Sequence, residues 1–150
     1  MVRAIVAGLA AIFLVSAVPA HAEIVKMQSP YSVAETVDRL ENAIKGKGLT
    51  VFARIDHAAG AKAVGQELRP TLLIIFGSAK VGTPLIQAQQ TMGLSLPLKA
   101  LAWEEADGKV WLGYDAPADM AATRGIPRDH KVIGAITGAL DGLTNAAIKK

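Results

Sequence analysis

The segment Thr71–Phe76 constrains the fold of this chain more than any other part of the sequence. It reads Thr-Leu-Leu-Ile-Ile-Phe, so an extended conformation would place apolar side chains on both of its faces. A short apolar run of this kind is typical of a strand inside a sheet. The segment therefore predicts a central strand around which the other elements assemble.

Two amphipathic helices are predicted near the ends of the chain. The first follows Ser32-x-x-Glu35, which has the spacing of a capping box, and Gly46 and Gly48 end it. The second covers residues from about 128 to 147. Its apolar stripe has helical spacing and consists of Ile133, Ile136, Leu140, Leu143 and Ala147.

Three more strands follow from alternation and turn chemistry. Residues 49–56 alternate, which predicts one face made of Leu49, Val51, Ala53 and Ile55. Residues 98–105 and 110–114 flank Asp107-Gly108, a strong signal for a hairpin with a two-residue loop.

Residues 23–27 add a short first strand, so the predicted order is β-α-β-β-β-β-α. Short helices are expected at residues 57–66 and again after Thr83, which can cap a helix that has Pro84 at its first position. This order predicts an α+β fold, a curved antiparallel sheet with helices on one face. The space between sheet and helix can bind small molecules.

The N-terminus has the three parts of a secretory signal. Arg3 is followed by an apolar run, residues 4–18, and by the small-x-small ending Ala20-His21-Ala22. The run is short of the roughly 20 residues that cross a bilayer, although an uncleaved anchor is the alternative. We expect a signal peptide at residues 1–22 and a single α+β domain at residues 23–150. The chain contains no cysteine to carry a lipid anchor, so we expect a periplasmic or secreted protein without a membrane segment after cleavage.

Several function classes are disfavoured. The net charge of +3 comes from scattered basic residues, which is not the footprint of a nucleic-acid-binding protein. His57 and His130 are far apart and do not have the spacing of metal ligands, so we expect neither a metal nor a cofactor. The spacing Gly77-x4-Gly82 lacks the Lys-Ser/Thr that a nucleotide P-loop requires. No serine lies in a Gly-x-Ser-x-Gly motif.

Asp56 and His57 are the candidate catalytic residues. A carboxylate beside an imidazole can transfer protons near neutral pH. Adjacent residues of a strand point to opposite faces, however, so the two groups need not cooperate. The alternative is that Asp56 caps the following helix and that His57 lies in its first turn.

Arg69 and the segment 77–84 are candidates for ligand binding. Arg69 precedes the central strand and can offer several donors to a carboxylate or phosphate, or it can form an ion pair with Asp56 or Glu67. In the segment, backbone N–H groups at a helix start attract anions. The alternative is a plain turn with glycines at positive φ and a Thr-Pro helix start. The candidate residues are Gly77, Gly82, Thr83 and Pro84.

Three glycines in the last helix, Gly134, Gly138 and Gly142, lie at i, i+4 and i+8. Each costs a helix about 1 kcal/mol relative to alanine, which indicates a close approach to that face. The neighbour could be the sheet, a second subunit or a flat ligand.

Taken together, the motifs resemble the domain-of-unknown-function family 302. The resemblance covers nearly all of residues 23–150. It rests on Tyr31-Ser32-Val33, Glu35-Thr36, Leu40, Gly48-Leu49, Phe52, Ile55-Asp56-His57, Leu68-Arg69-Pro70-Thr71, Phe76-Gly77, Gly82-Thr83-Pro84-Leu85, Leu96-Pro97-Leu98-Lys99, Trp103 and Asp107-Gly108-Lys109.

The resemblance implies a TATA-binding-protein-like fold, β-α-β4-α, in which the sheet grips the last helix, and it also implies a homodimer. Two departures from the family pattern lie in or just after the segment 77–84. Ser78-Ala79 stands where Asn-Pro is expected, and Ile86 stands where Met is more usual. The fold itself implies no particular function.

Three hypotheses about function follow. The first is a periplasmic module that binds a small anionic or amphipathic molecule. Arg69 and the 77–83 backbone would hold its polar end, Asp56 and His57 would hydrogen-bond it, and the apolar part would contact Phe52, Trp103 or Tyr114. The second is a hydrolase or isomerase in which His57 is the base and Asp56 orients it. The third is a dimeric envelope or stress protein without a ligand.

Overall fold

The strand predicted at Thr71–Phe76 lies inside a five-stranded antiparallel sheet in the computed structural model, which describes residues 23–150. The predicted signal, residues 1–22, lies outside the described residues. The strand order is β1-β5-β4-β3-β2, so β4 and not β3 is the middle strand. The strands are β1 (Ile24–Ser29), β2 (Thr50–Asp56), β3 (Thr71–Gly77), β4 (Leu98–Glu104) and β5 (Val110–Asp115).

The helices confirm the predicted α+β order. They are α1 (Val33–Gly46), α2 (His57–Ala63), α3 (Ala79–Ala88), α4 (Pro117–Ala122) and α5 (Lys131–Ile148), with a 3₁₀ turn at Gln90–Leu94. The sequence did not predict α4 or the 3₁₀ turn. None of the helices in residues 23–150 combines the length and apolarity that a membrane crossing requires.

The core lies between one face of the sheet and the two long helices, α1 and α5, which pack against each other. Alternate residues of β3, Leu72, Ile74 and Phe76, point toward these helices and are buried. Leu73 and Ile75 point to the other face and stay half-exposed. We call the two sides the helix face and the outer face. The apolar character of both faces of β3 therefore does not mean that both are covered.

The predicted apolar stripe of α5 is confirmed, because all five of its members are buried. The glycines lie on the opposite side of the helix. A Cβ built on Gly134, Gly138 or Gly142 meets no other group of the described chain within 4 Å. Of the three neighbours that the sequence left open, the sheet is therefore excluded. The sheet contacts the large residues of α5 and not its small ones.

Polar contacts fix α5 to the sheet and to α1. The Tyr114 hydroxyl donates to Asp141 Oδ1 at 2.6 Å, and burial, together with this hydrogen bond, raises the pKa of Tyr114 above its ordinary value. At the helix end, Arg39 donates to the carbonyls of Ala147 and Lys149 at 2.7 and 2.6 Å. A cation at the C-terminal end of a helix also complements the helix dipole.

The hairpin between β4 and β5 is confirmed, with a loop of different length. Gly108 N donates to Glu105 O at 2.9 Å, and Glu105 N donates to Lys109 O at 2.9 Å. Gly108 has a φ of +80°, which a residue with a Cβ rarely adopts. The loop thus comprises three residues, 106–108, and not the two that Asp-Gly most often forms.

Candidate functional site

An irregularity in β2 changes which side chains face the interior. Val51 lies opposite Phe76, whereas Ala53 lies opposite Ile75, so Phe52 is the extra residue of a β-bulge. The sequence predicted that Val51, Ala53 and Ile55 lie on one face of the sheet. This prediction is wrong beyond the bulge, because Ala53 and Ile55 lie on the face opposite to that of Val51. A bulge re-aims a side chain, and here the side chain is that of Phe52, which is 57% exposed.

Phe52 lines a pocket at the Gly77 end of β3, which we call the apolar pocket. Its walls come from the end of β3, from α3, from the 3₁₀ turn and the segment after it, and from Ile136 of α5. The volume is about 270 Å³, and every lining residue is uncharged. The lining residues are Phe52, Gly77, Ser78, Ala79, Val81, Gly82, Thr83, Ile86, Gly93, Leu96, Pro97, Leu98 and Ile136.

Helix α3, which covers this pocket, begins at Ala79 and not at Thr83. Gly82 N donates to Ser78 O at 2.9 Å, so this amide is used inside the helix and is not available to an anion. Pro84 lies within the helix, where its ring cannot donate to the carbonyl of Lys80. The proposed Thr-Pro helix start is therefore wrong. The turn with positive-φ glycines is wrong as well, because Gly77 ends β3 and Gly82 is helical.

Asp56 and His57 lie at the opposite end of the same strand pair. Asp56 Oδ1 accepts from Ala59 N at 2.8 Å and caps α2, and His57 is the exposed first residue of that helix. This arrangement is the alternative that the sequence left open. The Asp56 carboxylate hydrogen-bonds to backbone rather than to the imidazole.

Arg69 is also at this end and is exposed. Its Nε donates to the carbonyl of Glu104 at 3.0 Å, and within residues 23–150 it forms no ion pair with Asp56 or Glu67. Asp56 and Arg69 border a wide hollow of about 770 Å³, together with Lys62 and Glu67. We call it the open hollow.

The structure thus divides five of the seven predicted site residues between two places, and His57 and Pro84 line neither of them. Gly77, Gly82 and Thr83 line the apolar pocket, and Asp56 and Arg69 border the open hollow. The length of β3, about 20 Å, separates them. The shared cleft of the first hypothesis does not form. Two of its apolar contacts also lie elsewhere, since Trp103 is on the outer face and the Tyr114 ring is buried.

A third hollow was not predicted at all. We call it the charged pocket. It has a volume of about 290 Å³, and its lining includes Ser95, Lys99, Asp115 and Arg124. These residues come from four separate segments of the chain. Each is an ordinary surface residue in the sequence, so no local pattern could have identified them.

Comparisons with known proteins establish the family. Residues 25–143 match the model of the family described as "Domain of unknown function DUF302", and the chain belongs to this family. Its fold resembles that of a crystal structure of an uncharacterized conserved DUF302 protein from Bacillus stearothermophilus. The TM-score is 0.75 at 17% identity, over 83% of this chain and 97% of that one. The TATA-binding-protein-like fold implied by the family motifs agrees with this likeness.

Among curated proteins, two relatives are named "Fluoride-specific ion channel FluC 1". One is from Brucella suis biovar 1 (strain 1330) and the other from Brucella abortus biovar 1 (strain 9-941). Each is 46% identical over 117 residues, or 77% of this chain. The chain spans only 46% and 43% of the length of these two relatives.

Proposed function

We propose that this protein is a binding module for a small molecule, and that the apolar part of the molecule occupies the apolar pocket. The observation that carries the proposal is an open concavity lined only by uncharged residues. Apolar surface that stays in contact with water costs roughly 25 cal/mol per Å² relative to burial. A guest that covers Phe52 and Val81 would remove that cost.

The size of the pocket limits the guest. A cavity of about 150 Å³ lined by apolar residues accepts benzene, so about 270 Å³ corresponds to roughly ten carbon atoms. Each added methylene should tighten binding about fourfold until the pocket is full, because its burial is worth about 0.8 kcal/mol.

Binding of octan-1-ol, an uncharged probe with an eight-carbon apolar chain, tests the proposal in a calorimetric titration. Val81→Trp places a large ring on the 38%-exposed rim of the pocket and should weaken binding at least tenfold. The matched control is Val64→Trp on the exposed end of α2, which should bind as the parent does. If octan-1-ol and a panel of neutral alcohols and arenes of similar size do not saturate the parent protein, the proposal is wrong.

The acid–base alternative receives less support from the site. Its two groups, Asp56 and His57, act as a helix cap and as an exposed first-turn residue. A hydrolase or isomerase would need both groups to face one substrate.

A second candidate role comes from the curated relatives. We propose that the domain acts beside a fluoride channel, because proteins with that name contain a segment 46% identical to this chain. Ion conduction itself is not proposed for residues 23–150, where no helix can cross a membrane. Deletion of the gene should then lower the fluoride concentration that stops growth, and re-expression should restore it. Equal tolerance with and without the gene would contradict this role.

The proposed location is the periplasm or the medium, on the basis of the signal predicted at residues 1–22. We further propose a homodimer, which the family motifs imply. The exposed stripe at Gly134, Gly138 and Gly142 leaves room for a closely packed partner. Gly138→Leu should then abolish the dimer in light scattering, whereas an unchanged dimer would exclude this face.

A further inference from the structure

The charged pocket holds two cations around one serine. Arg124 Nε donates to Ser95 Oγ at 3.3 Å, and Lys99 Nζ donates to Ser95 O at 3.3 Å and to Pro97 O at 3.0 Å. Within residues 23–150, the two terminal nitrogens of Arg124 make no hydrogen bond, and neither cation forms an ion pair. Arg124 is half-buried, so part of its surrounding water is already removed. Its free donors favour an acceptor that carries charge.

Asp115 is the other charged group of this pocket. Its exposed carboxylate forms no ion pair within the described chain. Lys99, Arg124 and Asp115 together leave one net positive charge. The rest of the lining includes Leu94, Leu98, Met120 and Leu140, so the positive charge lies over an apolar floor.

The charged pocket adjoins the apolar pocket. Leu98 lines both. Ile136 lines the apolar pocket and Leu140 lines the charged one, and these two residues are one turn apart on the buried stripe of α5. One turn of helix rises about 5.4 Å, so along α5 the two linings are separated by the length of only a few covalent bonds.

We propose that the ligand is an amphipathic carboxylate, and that its head group binds Arg124 and Ser95 while its apolar part fills the apolar pocket. This inference rests on the proposed function of the apolar pocket and adds the head-group site. The Arg124 guanidinium donates through its free terminal nitrogens to the carboxylate oxygens, and Ser95 Oγ–H can supply a further hydrogen bond. The anionic end thus binds Arg124, and not Arg69 as the sequence indicated.

The test compares octanoate with octan-1-ol, which share an alkyl length and differ in the charged head. Calorimetric titrations at neutral pH use the parent protein, Arg124→Gln and Arg124→Lys. The matched control is Arg128→Gln. Arg128 is exposed, is paired with Asp119 and lines neither pocket. Circular dichroism confirms that each variant is folded.

We expect octanoate to bind the parent about tenfold more tightly than octan-1-ol. Arg124→Gln should remove this difference and leave octan-1-ol binding unchanged, because only the head-group contact is lost. Arg124→Lys keeps the charge without the planar fork and should fall between the parent and Arg124→Gln. Arg128→Gln should behave as the parent does.

Three results overturn the inference in distinguishable ways. If both probes bind equally and Arg124→Gln changes neither, the head-group site is wrong and the apolar pocket remains a binding site. If neither probe binds, the proposed function fails and this inference fails with it. Tighter binding of octylamine than of octanoate would also overturn it, because Asp115 would then select the head group.

Discussion

The two ends of strand β3 differ in how the chain closes over them. At the Gly77 end, α3 and the 3₁₀ turn are held down by Leu85 and Met92, both 0% exposed. At the Thr71 end, all seven residues of α2 are exposed or half-buried. The apolar pocket therefore has an anchored cover, whereas the cover of the open hollow is exposed to solvent.

The residues that the sequence singled out for chemistry and the pocket with the anchored cover lie at opposite ends of β3. The polar motif Asp56-His57 and Arg69 lies at the open end, where water competes with any ligand for its hydrogen bonds. The Gly77 end carries the pocket lined by uncharged residues, where the removal of water from apolar surface favours binding. The more conspicuous residues in the sequence are thus at the end that the structure makes less suitable for binding.

The largest effect should come from removal of the anchor of α3. Leu85→Ala should lower the free energy of unfolding by about 2–5 kcal/mol, because it leaves a cavity in the core. The matched control is Leu68→Ala at the other end, where the side chain is 50% exposed, and it should cost less than about 1 kcal/mol. Urea denaturation measures both. Equal losses would show that the two ends are covered alike.

Phe52→Ala should weaken octan-1-ol binding about tenfold, because a half-exposed phenyl contact is worth about 1–1.5 kcal/mol. Stability should change little, since Phe52 is already 57% exposed. Ile55→Ala is the control on the same strand, 40% exposed and outside the pocket, and binding should be unaffected. Equal weakening by both changes would place the ligand elsewhere.

Loss of the cap of α2 should have a smaller and local effect. Asp56→Ala should cost about 1 kcal/mol and remove the hydrogen-exchange protection of the α2 amides. Octan-1-ol binding should not change. Ser32→Ala removes the cap of α1, which packs in the core, and should instead lower global stability. A catalytic role for Asp56 would require Asp56→Ala to lower an enzymatic activity by more than the local loosening of α2 explains.

The smallest effect on stability and binding is expected for Arg69, which the sequence indicated as a ligand-binding residue. Arg69→Ala should change stability by less than about 0.5 kcal/mol and leave octanoate binding intact, because the side chain is exposed and holds one carbonyl. The comparison is Arg39→Ala, which removes two hydrogen bonds to the end of α5 and a stacking contact on Tyr31. It should cost about 1–3 kcal/mol. Weaker octanoate binding in Arg69→Ala would restore the open hollow as the ligand site.

The sequence alone predicted several features that depend on neighbours along the chain. The caps at Ser32 and Asp56, the buried stripe of α5 and the turn at Gly108 are each encoded within a few residues. Backbone geometry and side-chain periodicity act over that range. The element order and the α+β class followed from these local patterns.

Only the tertiary structure decided which residues face a common space. The bulge at Phe52 depends on pairing with β3, and the start of α3 at Ala79 overrides the Thr-Pro signal. Ser95, Lys99 and Arg124 meet because the 3₁₀ turn, β4 and the segment after α4 pack together. A concavity is the shape left between packed elements. Its position therefore depends on contacts between residues distant in the chain, which short-range patterns do not contain.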